Sequence, residues 1–215
     1  MVDLEKIEKR TFQSFYDDGL GETTLGPLLF LLGGVLFAQT VVREKSAIYQ
    51  ALGLLSMIVV LFAGLLTGRI VSFLKRRITY PRTGYVAFKK RQQSPKRRAA
   101  AMIVAAIIGA SVAALYGLSP SVNTLFPAAN GLLFALAVFF FAHKVGLTRF
   151  YVLAAVSAVI GIAIAAAGIG EIKGIGFFYM LFGIAITISG LAALIVYLRR
   201  SPKPATEGTE GPNGR

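Results

Sequence analysis

Carboxylates near the start of the chain are the first residues whose type and spacing could do chemistry. Asp17, Asp18 and Glu22 lie within six positions of one another, and oxygen ligands at such a spacing could bind a divalent cation. The interpretation that we favour places these acids at the N-terminus of a helix, after a turn at Gly19, where they interact well with the helix dipole. The sequence therefore predicts no metal site.

Histidine and cysteine offer little further chemistry. His143 is the only histidine and the chain has no cysteine, so a zinc site would need a group of carboxylates, and none lies near His143 in the sequence. No Ser-His-acid arrangement, phosphate-binding loop or dinucleotide fingerprint can be assembled. We therefore expect a non-enzymatic protein that holds no metal and no cofactor.

Long apolar runs must position these residues. The chain is 55% hydrophobic and only 15% charged, and a run of about 20 apolar residues spans the hydrocarbon of a bilayer. Such runs lie at about residues 25–42, 47–68, 99–118, 122–142, 150–169 and 175–198. The sequence predicts an all-α polytopic membrane protein, with six transmembrane helices arranged as three hairpins.

Two polar segments flank this transmembrane domain, which covers residues 25–198. In residues 1–24, apolar positions recur at three- to five-residue steps among charges, which predicts an amphipathic helix at the membrane surface. Residues 199–215 are rich in Pro, Gly, Thr and Glu and predict a disordered tail.

A basic loop at residues 75–98 divides the apolar runs. Its ten basic residues, with no acid among them, are Lys75, Arg76, Arg77, Arg82, Lys89, Lys90, Arg91, Lys96, Arg97 and Arg98. Basic loops resist translocation, so this loop should be cytoplasmic. Alternating the six spans from there leaves only Arg43, Lys45 and Lys173 outside, with Arg69 in or beside the second span. The pattern predicts a plasma-membrane protein with both termini in the cytoplasm.

The middle of this loop combines a turn with aromatic side chains. Pro81 to Gly84 suits a β-turn, and aromatic residues around it suit the headgroup level. The candidate binding residues are Arg76, Arg77, Tyr80, Arg82, Tyr85, Lys89, Lys90 and Arg91. Contact with anionic lipid headgroups is the first interpretation, a protein partner the second, and nucleic acid a distant third, because basic and aromatic residues together are unspecific.

Polar residues inside the predicted spans raise a second functional hypothesis. Gln39, Arg69 and Asn130 could line the cavity of a small transporter or channel. The competing interpretations are a snorkelling Arg69 and an interhelical hydrogen bond from Asn130. The cavity hypothesis requires the three side chains to converge.

Small residues recur at helical spacing in the apolar runs and favour close helix contacts. The pairs are Gly64 with Gly68, Gly109 with Ala113, Gly161 with Ala165 and Gly183 with Thr187. They could hold a homo-oligomer together, but packing within the chain is the interpretation that we favour.

Three stretches together resemble a family of uncharacterised bacterial multi-pass membrane proteins. They are YDDGL before the first span, RRITYPRTGYV after the second and FGIAITISGLAALIVYLRRSP at the end of the last. The resemblance covers about residues 15 to 202, and TYPRTGYV is its most specific part. It implies a bacterial plasma-membrane protein and brings no activity or ligand. Gly21 and Glu22 depart from the family pattern, which has an aromatic residue and an Asp there.

Overall fold

The structure is a computed structural model that describes residues 13, 16–79 and 124–200, without the side chains of 63–66 and 171. These residues form five α-helices and no strand. The helices are α1 (Leu20–Val41), α2 (Ala47–Ile78), α3 (Phe126–Val145), α4 (Thr148–Ala166) and α5 (Glu171–Arg200). The all-α prediction is confirmed for this part of the chain.

By length and composition, α1, α3, α4 and α5 could each cross a membrane. Helix α2 is bent, and its two halves, Ala47–Phe62 and Thr67–Ile78, meet at an angle of 50°. It is a fifth candidate if the two halves together form one span. The predicted runs at 25–42, 47–68, 122–142, 150–169 and 175–198 correspond to these five helices. The run at 99–118 and the tail at 199–215, beyond Arg200, lie outside the described residues, as does most of the segment 1–24.

Helices α1 and α2 extend furthest beyond the apolar runs that predicted them. Helix α1 begins at Leu20, and its first turn gains hydrogen bonds from the Thr23 hydroxyl to the Gly19 carbonyl (2.9 Å) and from Thr24 to Leu20 (2.8 Å). Helix α2 continues to Ile78 with three basic residues in its last turn, where cations stabilise the carboxyl end of a helix. Polar residues thus lengthen both helices at the same end of the molecule.

Helices α1 and α5 form the most extensive helix contact, and they run antiparallel. Glycines every seven residues, or about two turns, line both sides: Gly19, Gly26 and Gly33 face Gly190, Gly183 and Gly176. A Cβ atom added at Gly26 would lie 2.7 Å from the Gly183 carbonyl oxygen, and one added at Gly183 would lie 2.6 Å from the Phe30 nitrogen. The two backbones are therefore closer than any side chain would allow.

Helices α3 and α4 form a second tight pair. Gly131 and Gly161 meet at their crossing, where an added Cβ on Gly131 would lie 2.8 Å from the Gly161 Cα. The buried Ser157 hydroxyl donates a 2.9 Å hydrogen bond to the Gly131 carbonyl. The connecting turn contains Gly146 in the left-handed conformation (φ 78°), which terminates α3.

The described small-residue positions divide clearly. Gly161 and Gly183 lie in contacts between helices of this chain, as the sequence interpretation favoured. No atom of the described residues lies within 4 Å of a Cβ placed on Gly68. An apolar core joins the two helix pairs around Phe178 and Phe182, which are fully or almost fully buried. Phe134 of α3 packs edge-on against Phe182, with ring centroids 5.9 Å apart. Four of the helices therefore share one core.

Candidate functional site

Asp18 lies in the turn that precedes α1 and is almost completely buried, with 1% of its surface exposed. The turn depends on Gly19, whose φ of 65° favours glycine and whose position against the Gly190 carbonyl leaves no room for a Cβ. The Asp18 Oδ1 atom accepts a 3.3 Å hydrogen bond from the Leu20 amide. The start of α1 therefore holds a carboxylate inside the protein.

Lys75, in the last turn of α2, pairs with this carboxylate. Its Nζ lies 3.0 Å from Asp18 Oδ2, and both side chains are at least 95% buried. The Thr79 hydroxyl donates to the same oxygen at 3.1 Å. Removal of two charges from water is costly, and the short distance and added hydrogen bonds offset that cost. The pair joins the N-terminal turn to the point where the basic loop begins.

Glu22 and Arg149 form a second ion pair one helical turn further along α1. Arg149 Nε lies 3.1 Å from Glu22 Oε1, yet the N–H direction misses the oxygen, so the contact is an ion pair without an aligned hydrogen bond. The Arg149 guanidinium also donates to the Tyr16 carbonyl and lies 5.2 Å from the centre of the Phe150 ring. Arg149 thereby links the start of α4 to the segment before α1.

Two further contacts attach the N-terminal segment to the end of α3 and to the α3–α4 turn. The Gln13 amide donates to the Gly146 carbonyl at 2.8 Å. The Tyr16 ring packs edge-on against Phe141, with centroids 5.2 Å apart, and burial raises the pKa of the Tyr16 phenol. The phenol therefore stays protonated over the physiological range.

We call Asp18, Glu22, Lys75 and Arg149 the ion-pair cluster. Its two acids and two bases balance in charge, and they join the start of α1 to the end of α2 and the start of α4. No group of three His, Cys, Asp or Glu residues that could hold a metal occurs in the part of the chain that the structure describes. The four charges pair with one another where helix ends meet, so this geometry suits a structural junction.

Two of the predicted loop residues lie in the part of the chain that the structure describes. Arg76 and Arg77 are exposed at the end of α2, and the Arg77 guanidinium lies 5.2 Å from the centre of the Phe73 ring. Tyr80, Arg82, Tyr85, Lys89, Lys90 and Arg91 lie outside the described residues.

The three candidate cavity residues occupy separate places. Gln39 is 8% exposed and lines a cleft at the opposite end of the helices from the ion-pair cluster. Asn130 of α3 lies near the Tyr179 phenol of α5, and its buried Nδ2 has no partner among the described residues. Arg69 is exposed in the second half of α2. Of the three, only Gln39 lines the cleft.

The ion-pair cluster was missed as a unit by the sequence interpretation. The sequence interpretation places Asp18 and Glu22 at a helix N-terminus and counts Lys75 among the ten charges of the basic loop. The sequence shows acids in YDDGL and bases just before TYPRTGYV, but it does not indicate which acid meets which base. Thr79 is the first residue of TYPRTGYV, and its hydroxyl donates a hydrogen bond to Asp18.

Comparison with known proteins does not assign this junction a role. No family model, no curated protein and no solved structure matches the chain.

Proposed function

We propose that this chain is a non-enzymatic, multi-pass protein of the bacterial plasma membrane whose basic loop, residues 75–98, contacts anionic lipid headgroups. The observation that carries the proposal is the distribution of charge at the end of α2. The charge of Lys75 is offset by buried Asp18, whereas Arg76 and Arg77 are exposed and form no ion pair with another described residue. Their charge is therefore available to phosphate groups at the membrane surface.

The arrangement of helix ends supports a cytoplasmic location for this loop. The start of α1, the end of α2 and the α3–α4 turn lie together around the ion-pair cluster. They also carry most of the basic residues near helix ends, which favours the cytoplasmic side. In this proposal both termini are cytoplasmic.

A sixth span at 99–118 is part of the same proposal. Thr79 lies beside the ion-pair cluster, whereas Thr124 lines the cleft at the opposite end. A single span between these two residues would connect the two ends, as the six-span prediction requires.

Lipid binding can be tested with the triple variant Arg76→Gln, Arg77→Gln, Arg82→Gln. We expect several-fold less phosphatidylglycerol to remain with the purified protein, because three cations near an anionic surface contribute about 1 kcal/mol each. The measurement is mass spectrometry of lipid extracted after detergent purification. The control is Arg43→Gln with Lys45→Gln, two exposed cations at the opposite end.

Equal lipid retention by the triple variant and the control would contradict the lipid contact. A protein captured by the native chain and lost from the triple variant, with lipid retention unchanged, would instead favour a protein partner for the loop.

A small transporter or channel is the second candidate function. Gln39, Arg69 and Asn130 do not converge on one cavity, so the observation that favours this function is the cleft that Gln39 alone of the three lines.

A further inference from the structure

A cleft of about 450 Å³ lies at the end of the helices opposite the ion-pair cluster. It is formed where the end of α1, the start of α2, the link between α4 and α5 and the residue Thr124 come together. Its volume falls within the range typical of small-molecule sites.

The side chains that line this cleft combine both signs of charge. Glu44 lies on the α1–α2 link and Lys173 in the first turn of α5, and both are exposed. Neither forms an ion pair with the residues that the structure describes. A carboxylate and an ammonium group thus border one cleft, and each has its charge available to a ligand.

Neutral groups of the cleft add hydrogen-bonding capacity. The Gln39 amide, which can both donate and accept, is more than nine-tenths buried at the cleft and forms no hydrogen bond with the described residues. Tyr49, at the start of α2, contributes an aromatic wall with a hydroxyl group. The Gln39 amide therefore offers a donor and an acceptor to a polar ligand in the cleft.

We propose that this cleft binds a small zwitterion with the chemistry of a free amino acid. The ligand's ammonium group would interact with Glu44, its carboxylate with Lys173, and one of its polar atoms with the Gln39 amide. A ligand with a single charge would satisfy only one of the two charged residues, so both charges together select the zwitterion. This site is separate from the lipid contact of the basic loop and does not depend on it.

The test is calorimetric titration of the full chain, purified in detergent, with each of the proteinogenic L-amino acids. For valine, isobutylamine and 3-methylbutyrate serve as the matched amine and the matched acid. We expect saturable binding of at least one amino acid, and for it at least tenfold weaker binding to Glu44→Gln and to Lys173→Met. Lys45→Met is the matched control, since Lys45 is an exposed cation on the same link that does not line the cleft.

Two results would overturn the proposal. One is the absence of saturable binding for every amino acid at concentrations up to about 10 mM, which corresponds to a binding free energy weaker than about −3 kcal/mol. The other is binding that Glu44→Gln and Lys173→Met leave unchanged, or an amine or acid alone that binds as tightly as its amino acid. All variants lie on the exposed surface, and an unchanged unfolding transition verifies that they are folded.

Discussion

Replacing Lys75 by Met is expected to lower the free energy of unfolding by about 3–5 kcal/mol, because it leaves a buried carboxylate without its counterion. Asp18 is 1% exposed and loses the ammonium group that lies 3.0 Å away. The hydrogen bonds from the Leu20 amide and the Thr79 hydroxyl remain, but they do not replace a full positive charge. The measurement is denaturant unfolding in mixed micelles.

The double variant Asp18→Asn, Lys75→Met separates the ion pair from simple loss of side-chain packing. Removing both charges leaves no buried ion uncompensated, so we expect the double variant to recover most of the lost stability. Arg76→Met is the control, since Arg76 is the neighbouring exposed cation. Additive losses in the double variant, or an equal loss in the control, would show that the pair is energetically unimportant.

The second large effect concerns the contact between α1 and α5. Gly183→Ala is expected to destabilise the protein by about 1–3 kcal/mol, because the new methyl group would overlap backbone atoms that cannot move independently. The added Cβ would lie 2.6 Å from the Phe30 nitrogen and 2.7 Å from the Gly26 carbonyl oxygen. The helices must therefore separate along their length or rotate.

Gly34→Ala is the matched control for this substitution. Gly34 also lies within a helix, and no atom of the described residues lies within 4 Å of its added Cβ. Since Ala favours helix over Gly by up to about 1 kcal/mol, the control should be neutral or stabilising. If both variants unfold at the same denaturant concentration, the glycine register does not determine the packing of α1 against α5.

Much of the helical architecture could be predicted from hydropathy. Runs of apolar residues predicted the five described helices, because a span needs length and an apolar surface and little else. The start of α1 and the end of α2 were harder to predict from the sequence. Glu22 and Lys75 lie in these parts of the helices and form ion pairs with residues that are distant in sequence. Hydropathy treats such charges as the end of a span, whereas a buried counterion allows the helix to continue.

The ion-pair cluster could not be predicted for a related reason. Asp18 and Lys75 are separated by more than fifty positions, and nothing in a single sequence states which acid meets which base. The glycine register was visible in principle, since Gly19, Gly26 and Gly33 repeat every seven residues, as do Gly176, Gly183 and Gly190. The pairs of small residues at four-residue spacing include Gly183 but do not reveal this seven-residue register.

In our proposal the ion-pair cluster lies at the cytoplasmic end of the helices, and labelling of single introduced cysteines tests this location most directly. The chain has no cysteine, so each introduced thiol is unique. Lys45, Lys173, Arg77 and His143 are all exposed and replaceable. With a membrane-impermeant maleimide on intact cells, we expect labelling at positions 45 and 173, and labelling at 77 and 143 only after permeabilisation. Labelling of position 77 or 143 from outside intact cells would contradict the account.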